Sequence, residues 1–183
     1  GWNAGAFSNK AIASDGSVST RVEETNTYRM IGLSNSDNGH SYTSINYAAY
    51  LAINSDLVVY ENGTYKGNFG TYSTGDIIKV QRIGDTVSYL KNDTVFYTST
   101  VSSTGDLYLD SSLYSKGATL KDIRIEILNL IEFENIVGVS AENNTLVKTG
   151  NTGWNAGASS NKVIAFDGSV STRVEETNTY RMI

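Results

Sequence analysis

VVYENGTYKGNFGTYSTGDIIKVQRIGDTVSYLKNDTVFYTS, residues 58–99, is the stretch from which the fold is read. Asn62-Gly63 separates VVYE from TYKG. An Asn-Gly pair between two strand-forming runs is the strongest short hairpin signal, because both residues accept the positive φ of a tight turn. Gly84-Asp85 divides residues 76–82 from 86–91 in the same way, and Asn92-Asp93 turns the chain into 94–99. Short runs with alternating apolar and polar residues, joined by such turns, predict antiparallel strands with one buried face.

Working outward, the same pattern continues in both directions. Residues 17–23 alternate, with Val18, Thr20 and Val22 on one side, after an Asp15-Gly16 turn. Residues 27–33 form a second run, and SNSDNGHS, residues 34–41, reads as a polar loop. Runs at 47–53 and 57–60 lead into the hairpins, and runs at 106–110 and 119–128 follow them. Further runs lie at 135–140 and 145–148, turned by Glu142-Asn143-Asn144. About a dozen short strands, with turn signals every eight to twelve residues, predict a β-sandwich or barrel. Ile77, Val80, Val87, Tyr89, Val95, Tyr97, Leu107 and Leu109 are the expected core.

The chain repeats itself. GWNAGAFSNKAIASDGSVSTRVEETNTYRMI, residues 1–31, returns as GWNAGASSNKVIAFDGSVSTRVEETNTYRMI at 153–183. Three positions differ: Phe7 against Ser159, Ala11 against Val163 and Ser14 against Phe166. The constant offset sets a period of 152 residues, the size of a whole domain rather than of a solenoid unit. The expectation is a tandem-repeat protein: one repeat over 1–128 that lacks its first strand or strands, a linker over 129–134, and the opening strands of the next repeat over 135–183.

Composition narrows the function. With 39% hydrophobic residues among 183, the chain can build one real core. Its net charge is −5 and its pI about 4.8, with no Lys/Arg cluster, which argues against nucleic acid and against an anionic membrane surface. No apolar run approaches the ~20 residues of a membrane span. The absence of cysteine removes disulfides, thiolate metal sites and cysteine nucleophiles together. Ser, Thr, Asn, Gly and 12 Tyr dominate the rest, a well-solvated sheet composition.

The order of a strand ending in Asn62-Gly63, then Gly75-Asp76-Ile77-Ile78 with Val80, then a hairpin into Val87, Tyr89, Lys91 and Asn92, resembles the concanavalin A-like jelly rolls, including laminin-G-like and SPRY-like domains. The whole repeat resembles modules of very large bacterial surface proteins, among them adhesins and filaments of gliding Bacteroidota. That resemblance implies an all-β, antiparallel two-sheet jelly-roll sandwich at the cell surface. Such modules open with a strand that corresponds here to residues 135–149, so a neighbouring copy, or the same chain folding back, is expected to complete the sandwich that begins at Gly1.

Few residues carry chemistry. His40 is the one histidine, so neither a Ser-His-Asp set nor a zinc pattern can be assembled around it. Glu23 and Glu24 are neighbours on a strand and point to opposite faces, a poor acid–base pair. No enzyme activity, cofactor or metal is expected, although Asp37, Asn38 and the Gly39 carbonyl, or Asp110 with Ser111, offer oxygens for a weak calcium site. Sugar binding is the alternative function: Asp37, Asn38, His40 and Tyr42 form one candidate loop, and Asp110, Ser112 and Tyr114 another, both read as sandwich-end loops. Ile131, Phe133, Ile136 and Val139, with Trp2 and its twin Trp154, are read as residues that pack between successive repeats. The main expectation is a structural or adhesive extracellular repeat whose partners are neighbouring copies of itself and, through the loops, surface glycans.

Overall fold

A computed structural model describes residues 1–128, 133–142, 145–160 and 179–183. Two units divide the chain, Gly1–Asn129 and Leu130–Ile183. The first contains β1 (Phe7–Ile12), β2 (Gly16–Arg21), β3 (Arg29–Ser34), β4 (Tyr47–Leu51), β5 (Asp56–Glu61), β6 (Thr64–Thr71), β7 (Ile77–Ile83), β8 (Thr86–Lys91), β9 (Thr94–Thr98), β10 (Leu107–Leu113) and β11 (Lys121–Ile127). A single 3-10 turn, Tyr42–Ser44, precedes β4.

These strands form a sandwich of two antiparallel sheets: a six-stranded sheet in the order β1-β10-β3-β4-β5-β6 and a five-stranded sheet in the order β11-β2-β7-β8-β9. The expected hairpins set the register. Glu61 pairs with Thr64 across Asn62 and Gly63, whose φ angles of 49° and 73° are those of an I′ turn. Lys91 pairs with Thr94 across Asn92 and Asp93, again both at positive φ. Between them, Ile83 pairs with Thr86 across Gly84-Asp85.

Antiparallel register then stacks apolar residues in rows. Ile125, Val18, Val80, Tyr89 and Tyr97 lie side by side across the five-stranded sheet, and all belong to the core or pack on it. From the other sheet Ile31, Leu33, Ala49, Leu51, Leu57, Val59, Leu107 and Leu109 face them. Two expected core residues fall elsewhere. Ile77 is opposite in parity to Val80 and lies on the outer side of β7, whose inward residues are Ile78 and Val80. Val95 is 51% exposed, because a register shift on the edge strand β9 turns Phe96 and Tyr97 inward instead. The strand β1 was not legible: FSNKAI has no run of strand formers, and β10 holds it as an edge strand.

Two guanidinium groups are buried in the sandwich. Arg82 is spent on main-chain carbonyls of Ile12, Ser14 and Gly105, tying β7 to the turn between β1 and β2. Arg29 is 1% exposed, donates to Thr27 and to the Glu24 carbonyl, lies over the Tyr72 ring and faces the Glu24 carboxylate at 3.4 Å. Burial by itself pushes the Glu24 carboxyl up. Hydrogen bonds from Thr119 and Thr27 and the charge of Arg29 outweigh that and hold it below its usual value. Gly32 is a steric requirement of the six-stranded sheet: a Cβ there would meet the Tyr47 carbonyl oxygen at 2.0 Å and the Ala48 Cα at 2.9 Å.

The second unit is described by itself. It holds β12 (Phe133–Val137), β13 (Val139–Glu142), β14 (Thr145–Lys148) and β15 (Gly157–Ser160). β12 pairs with β15, and β13 with β14. The single run expected at 135–140 is thus two strands, broken at Gly138 with φ 62°. Phe133 and Glu134, assigned to a linker by the sequence, belong to β12. Ile131 and the Asn143-Asn144 turn lie outside the described residues.

Gly32→Ala is expected to cost about 1–3 kcal/mol, the range for forcing atoms into a filled site, read as a fall in the urea midpoint at unchanged m-value. Glu24 makes the acid limb of stability. Its folded pKa is depressed, so its contribution is full above the unfolded value of ~4.3 and is lost as pH falls through the lower folded value. Glu24→Gln should therefore lower stability near neutral pH and flatten the acid limb, measured as urea midpoint against pH.

Candidate functional site

The outer face of the six-stranded sheet is aromatic. Alternation puts Met30 of β3, Ala48 and Tyr50 of β4, and Tyr60 of β5 on the side away from the sandwich core, where Met30, Ala48 and Ile45 form a second apolar cluster. Trp2 lies on this cluster, 5.4 Å from Tyr42, 5.5 Å from Tyr50 and 5.4 Å from Tyr114, centroid to centroid. Tyr28 touches both Tyr50 and Tyr114, Tyr60 touches both Tyr42 and Tyr50, and Tyr65 on β6 extends the run from Tyr60 at 5.7 Å. Tilted and edge-on pairs at these distances are the favoured geometry of aromatic rings.

The floor of this face is built for close approach. Gly32 and Ala48 sit beside each other across β3 and β4, and the absence of a Cβ at Gly32 lets the Tyr47 carbonyl and Ile45 pack directly on β3. Gly5 lets the chain before β1 lie directly on β10: a Cβ at Gly5 would meet the Ser111 carbonyl oxygen at 2.1 Å. Leu113 N–H donates to the Ala4 carbonyl, and Ala6 exchanges hydrogen bonds with the Ser111 hydroxyl. These contacts fix the backbone from which Trp2 reaches the tyrosines.

The rings present polar edges as well as apolar faces. Among the described residues, no hydroxyl of Tyr28, Tyr42, Tyr50, Tyr60, Tyr65 or Tyr114 hydrogen-bonds to protein. Tyr65 and Tyr114, at the two ends of the run, are 57% and 46% exposed. Burial raises the phenol pKa of Tyr50 and Tyr60, with neighbouring tyrosines adding to it, so both stay neutral donors at any physiological pH.

The two sequence-predicted loops meet here, but not as two sandwich-end loops. Asp110 and Ser112 lie in β10, and Tyr114 follows it directly; all three share the parity of the outer face. Ser112 is fully buried and donates to the His40 carbonyl at 2.6 Å, anchoring the 34–41 loop over β10. Asp110 is 3% exposed and accepts from the Ser34 hydroxyl at 2.7 Å. It is a support beneath the loop rather than a presented ligand group. Asp37 accepts from the Gly39 N–H and Asn38 donates to the Ser36 hydroxyl, so both also serve the turn, while Asp37, Asn38 and His40 remain exposed. Among the described residues, no three His, Asp or Glu side chains gather into a metal-binding group.

Tyr28, Tyr50, Tyr60 and Tyr65 escaped the sequence reading. Parity in 47–51 (YAAYL) contained the signal, since Tyr47 and Tyr50 face opposite ways. Only the sheet order brings Tyr50 beside Tyr60 and Tyr114. Of the residues read as inter-repeat contacts, Trp2 packs on tyrosines of its own unit, whereas Trp154 is 72% exposed. Phe133 and Val139 are half-buried and Ile136 is 47% exposed.

The other sheet carries a charged outer face. Lys79 pairs with Asp93 at 2.7 Å and Arg21 with Asp122 at 2.8 Å, around a shallow depression also lined by Arg124 and Glu126. Its charges are matched by opposite ones and single out no ligand.

This is a β-sandwich with one aromatic sheet face. No protein-family model matches the sequence, and no curated protein matches it. Solved structures resemble it in outline. An alginate lyase of polysaccharide lyase family 7 has a TM-score of 0.40 at 15% identity, over 63% of this chain and 57% of its own. The carbohydrate-binding module CBM66 from Bacillus subtilis has a TM-score of 0.42 at 14% identity, over 68% and 83%. A galectin from Caenorhabditis elegans has a TM-score of 0.37 at 10% identity, over 62% and 91%. The chain spans just over half the length of the alginate lyase. Likeness this low concerns the outline of the sandwich and says nothing of its chemistry.

Burial raises the Asp110 pKa, and the hydrogen bonds from Ser34 and Ser111 only partly offset it. With the folded value raised, the carboxylate costs stability near neutral pH, and that cost disappears as pH falls through the raised value. Asp110→Asn is expected to raise the melting temperature near neutral pH, with the gain shrinking on acidification. A gain independent of pH would assign the effect to packing instead.

Proposed function

We propose that this chain is a carbohydrate-binding module of an extracellular, adhesive tandem-repeat protein, and that it holds glycan on the aromatic face of the six-stranded sheet. The observation that carries the reading is the run Tyr114–Trp2–Tyr50–Tyr60–Tyr65, each ring 5.4–5.8 Å from the next, with phenol hydroxyls unspent on protein. Sugars offer apolar C–H faces ringed by hydroxyls. An array of neutral rings with free donors at their edges complements both, and its extent over several rings suits an oligosaccharide rather than a single sugar. The exposed polar groups of the 34–41 loop, Asp37, Asn38 and His40, border the same face and supply acceptors and donors at its rim.

The repeat gives this reading its biological sense. A 31-residue copy at a domain-sized offset supports an array of near-identical modules, and an array multiplies a weak single-site affinity. The cysteine-free, acidic, Ser/Thr/Asn-rich composition is compatible with a surface location. In the second reading the repeat is a mechanical spacer; the covalent repetition favours it, and the aromatic face would then be a packing surface.

A glycan array followed by calorimetry separates the two. The expected result is binding of an oligosaccharide that Tyr114→Ala and Tyr65→Ala each weaken severalfold and Trp2→Ala weakens at least tenfold, ~1.4 kcal/mol, with Trp154→Ala unchanged. Loss of affinity at Trp154 but not at Trp2, or no binding to any glycan, would overturn the reading.

A further inference from the structure

The edge of β1 that faces away from β10 has no strand partner among the described residues. The same sequence occurs a second time, and there it has a strand partner. β15 is the twin of residues Gly5 to Ser8, differing only in Ser159 for Phe7, and it pairs antiparallel with β12: Phe133 opposite Ser160, Glu134 opposite Ser159 and Val137 opposite Gly157. Carried across the 152-residue period, those partners become Ser8, Phe7 and Gly5.

We propose that the outward edge of β1 is a docking edge for β12 of a second copy of this chain, in the register Phe133–Ser8, Glu134–Phe7, Val137–Gly5. Three observations support it. Ala4 and Ala6, just before β1, already face β10 through the Leu113 N–H bond to Ala4 and the two bonds of Ala6 to the Ser111 hydroxyl, so alternation leaves the backbone groups of Gly5 and Phe7 on the outer edge. Lys10, the charged side chain that blunts this edge, lies beyond the proposed stretch, and the register shift between Phe7 and Ala11 begins only at its end. Among the described residues, β12 and β15 form a two-stranded sheet, the least stable form of pairing. On β1, β12 would be the seventh strand of a sheet already packed on a core.

A β12 that leaves β15 for β1 exchanges one stretch for another of nearly identical sequence and gains the support of the larger sheet. Reciprocal exchange between two copies closes a dimer; serial exchange extends a fibre. In a tandem array each repeat would carry one such donor and one such edge, so β12 would close the six-stranded sheet of the following module. The inference uses the repeat but not the glycan reading, and the two fail separately.

The absence of cysteine makes the register testable. Phe7→Cys and Glu134→Cys are introduced into separate full-length chains, mixed, and oxidised mildly. The expected product is a disulfide-linked heterodimer of the two variants, with little product when Lys10→Cys replaces Phe7→Cys. Sedimentation of the unmodified chain should show concentration-dependent association, and Val137→Pro, which removes a strand N–H, should abolish it. The proposal is overturned if crosslinking is equal at position 10, if no heterodimer forms, or if one chain carrying both cysteines closes an internal disulfide as a monomer at every concentration. Circular dichroism of Val137→Pro must match the unmodified chain; a loss of the β signal would show that β12 is required inside its own unit and would also count against exchange.

Discussion

The register of β10, β3, β4 and β5 is the constraint on which the rest of the molecule depends. Every second residue of these strands enters the core, and the intervening ones build the aromatic face. A slip of one residue would send Ile31, Ala49 and Val59 outward and Tyr50 and Tyr60 into the sandwich. Core and candidate site are therefore two readings of one alignment. Gly32 holds that alignment sterically, because only a residue without Cβ fits against the Tyr47 carbonyl. The Asn62-Gly63 turn sets the pairing of Glu61 with Thr64 and Tyr60 with Tyr65 at the start of the β5–β6 hairpin.

Buried charge reinforces the register from the edges inward. Arg82 gathers three carbonyls from separate segments, and Arg29 joins the β2–β3 connection to the Tyr72 ring and, through Glu24, to Thr119. Each guanidinium donates to several main-chain or hydroxyl oxygens, which offsets the cost of holding such a group inside a sandwich. Asp110 is the counter-case. It is a carboxylate buried under a loop, with Ser34 as its side-chain partner, and it supports the 34–41 loop at the cost of an unfavourable charge. The loop that borders the aromatic face thus rests on polar groups that have no direct part in holding a ligand.

The two copies of the GWNAGA segment show how far context decides the fate of identical residues. In the first, Gly5 fits against β10 and Trp2 rests among three aromatic rings. In the second, nothing among the described residues lies within 4 Å of a Cβ at Gly157, and Trp154 is 72% exposed. An edge strand without a strong apolar pattern takes its structure from its neighbour.

The sequence by itself determined the strand content, the three tight hairpins between residues 58 and 99 and the inward parity of Val18, Val80, Val87, Tyr89, Leu107 and Leu109, because turn chemistry and period-two alternation are local properties. It also exposed the internal copy, which is a fact of sequence alone. It did not show β1, the outward side of Ile77, the exposure of Val95, or the burial of Asp110 and Ser112, which were read as loop residues. Nor did it bring Trp2, Tyr28, Tyr50, Tyr60, Tyr65 and Tyr114 together. Those outcomes depend on which strands lie side by side, and the order β1-β10-β3-β4-β5-β6 joins segments more than a hundred residues apart. Local pattern assigns a face to each residue. Only the tertiary pairing decides which residues share that face, and therefore what the face can bind.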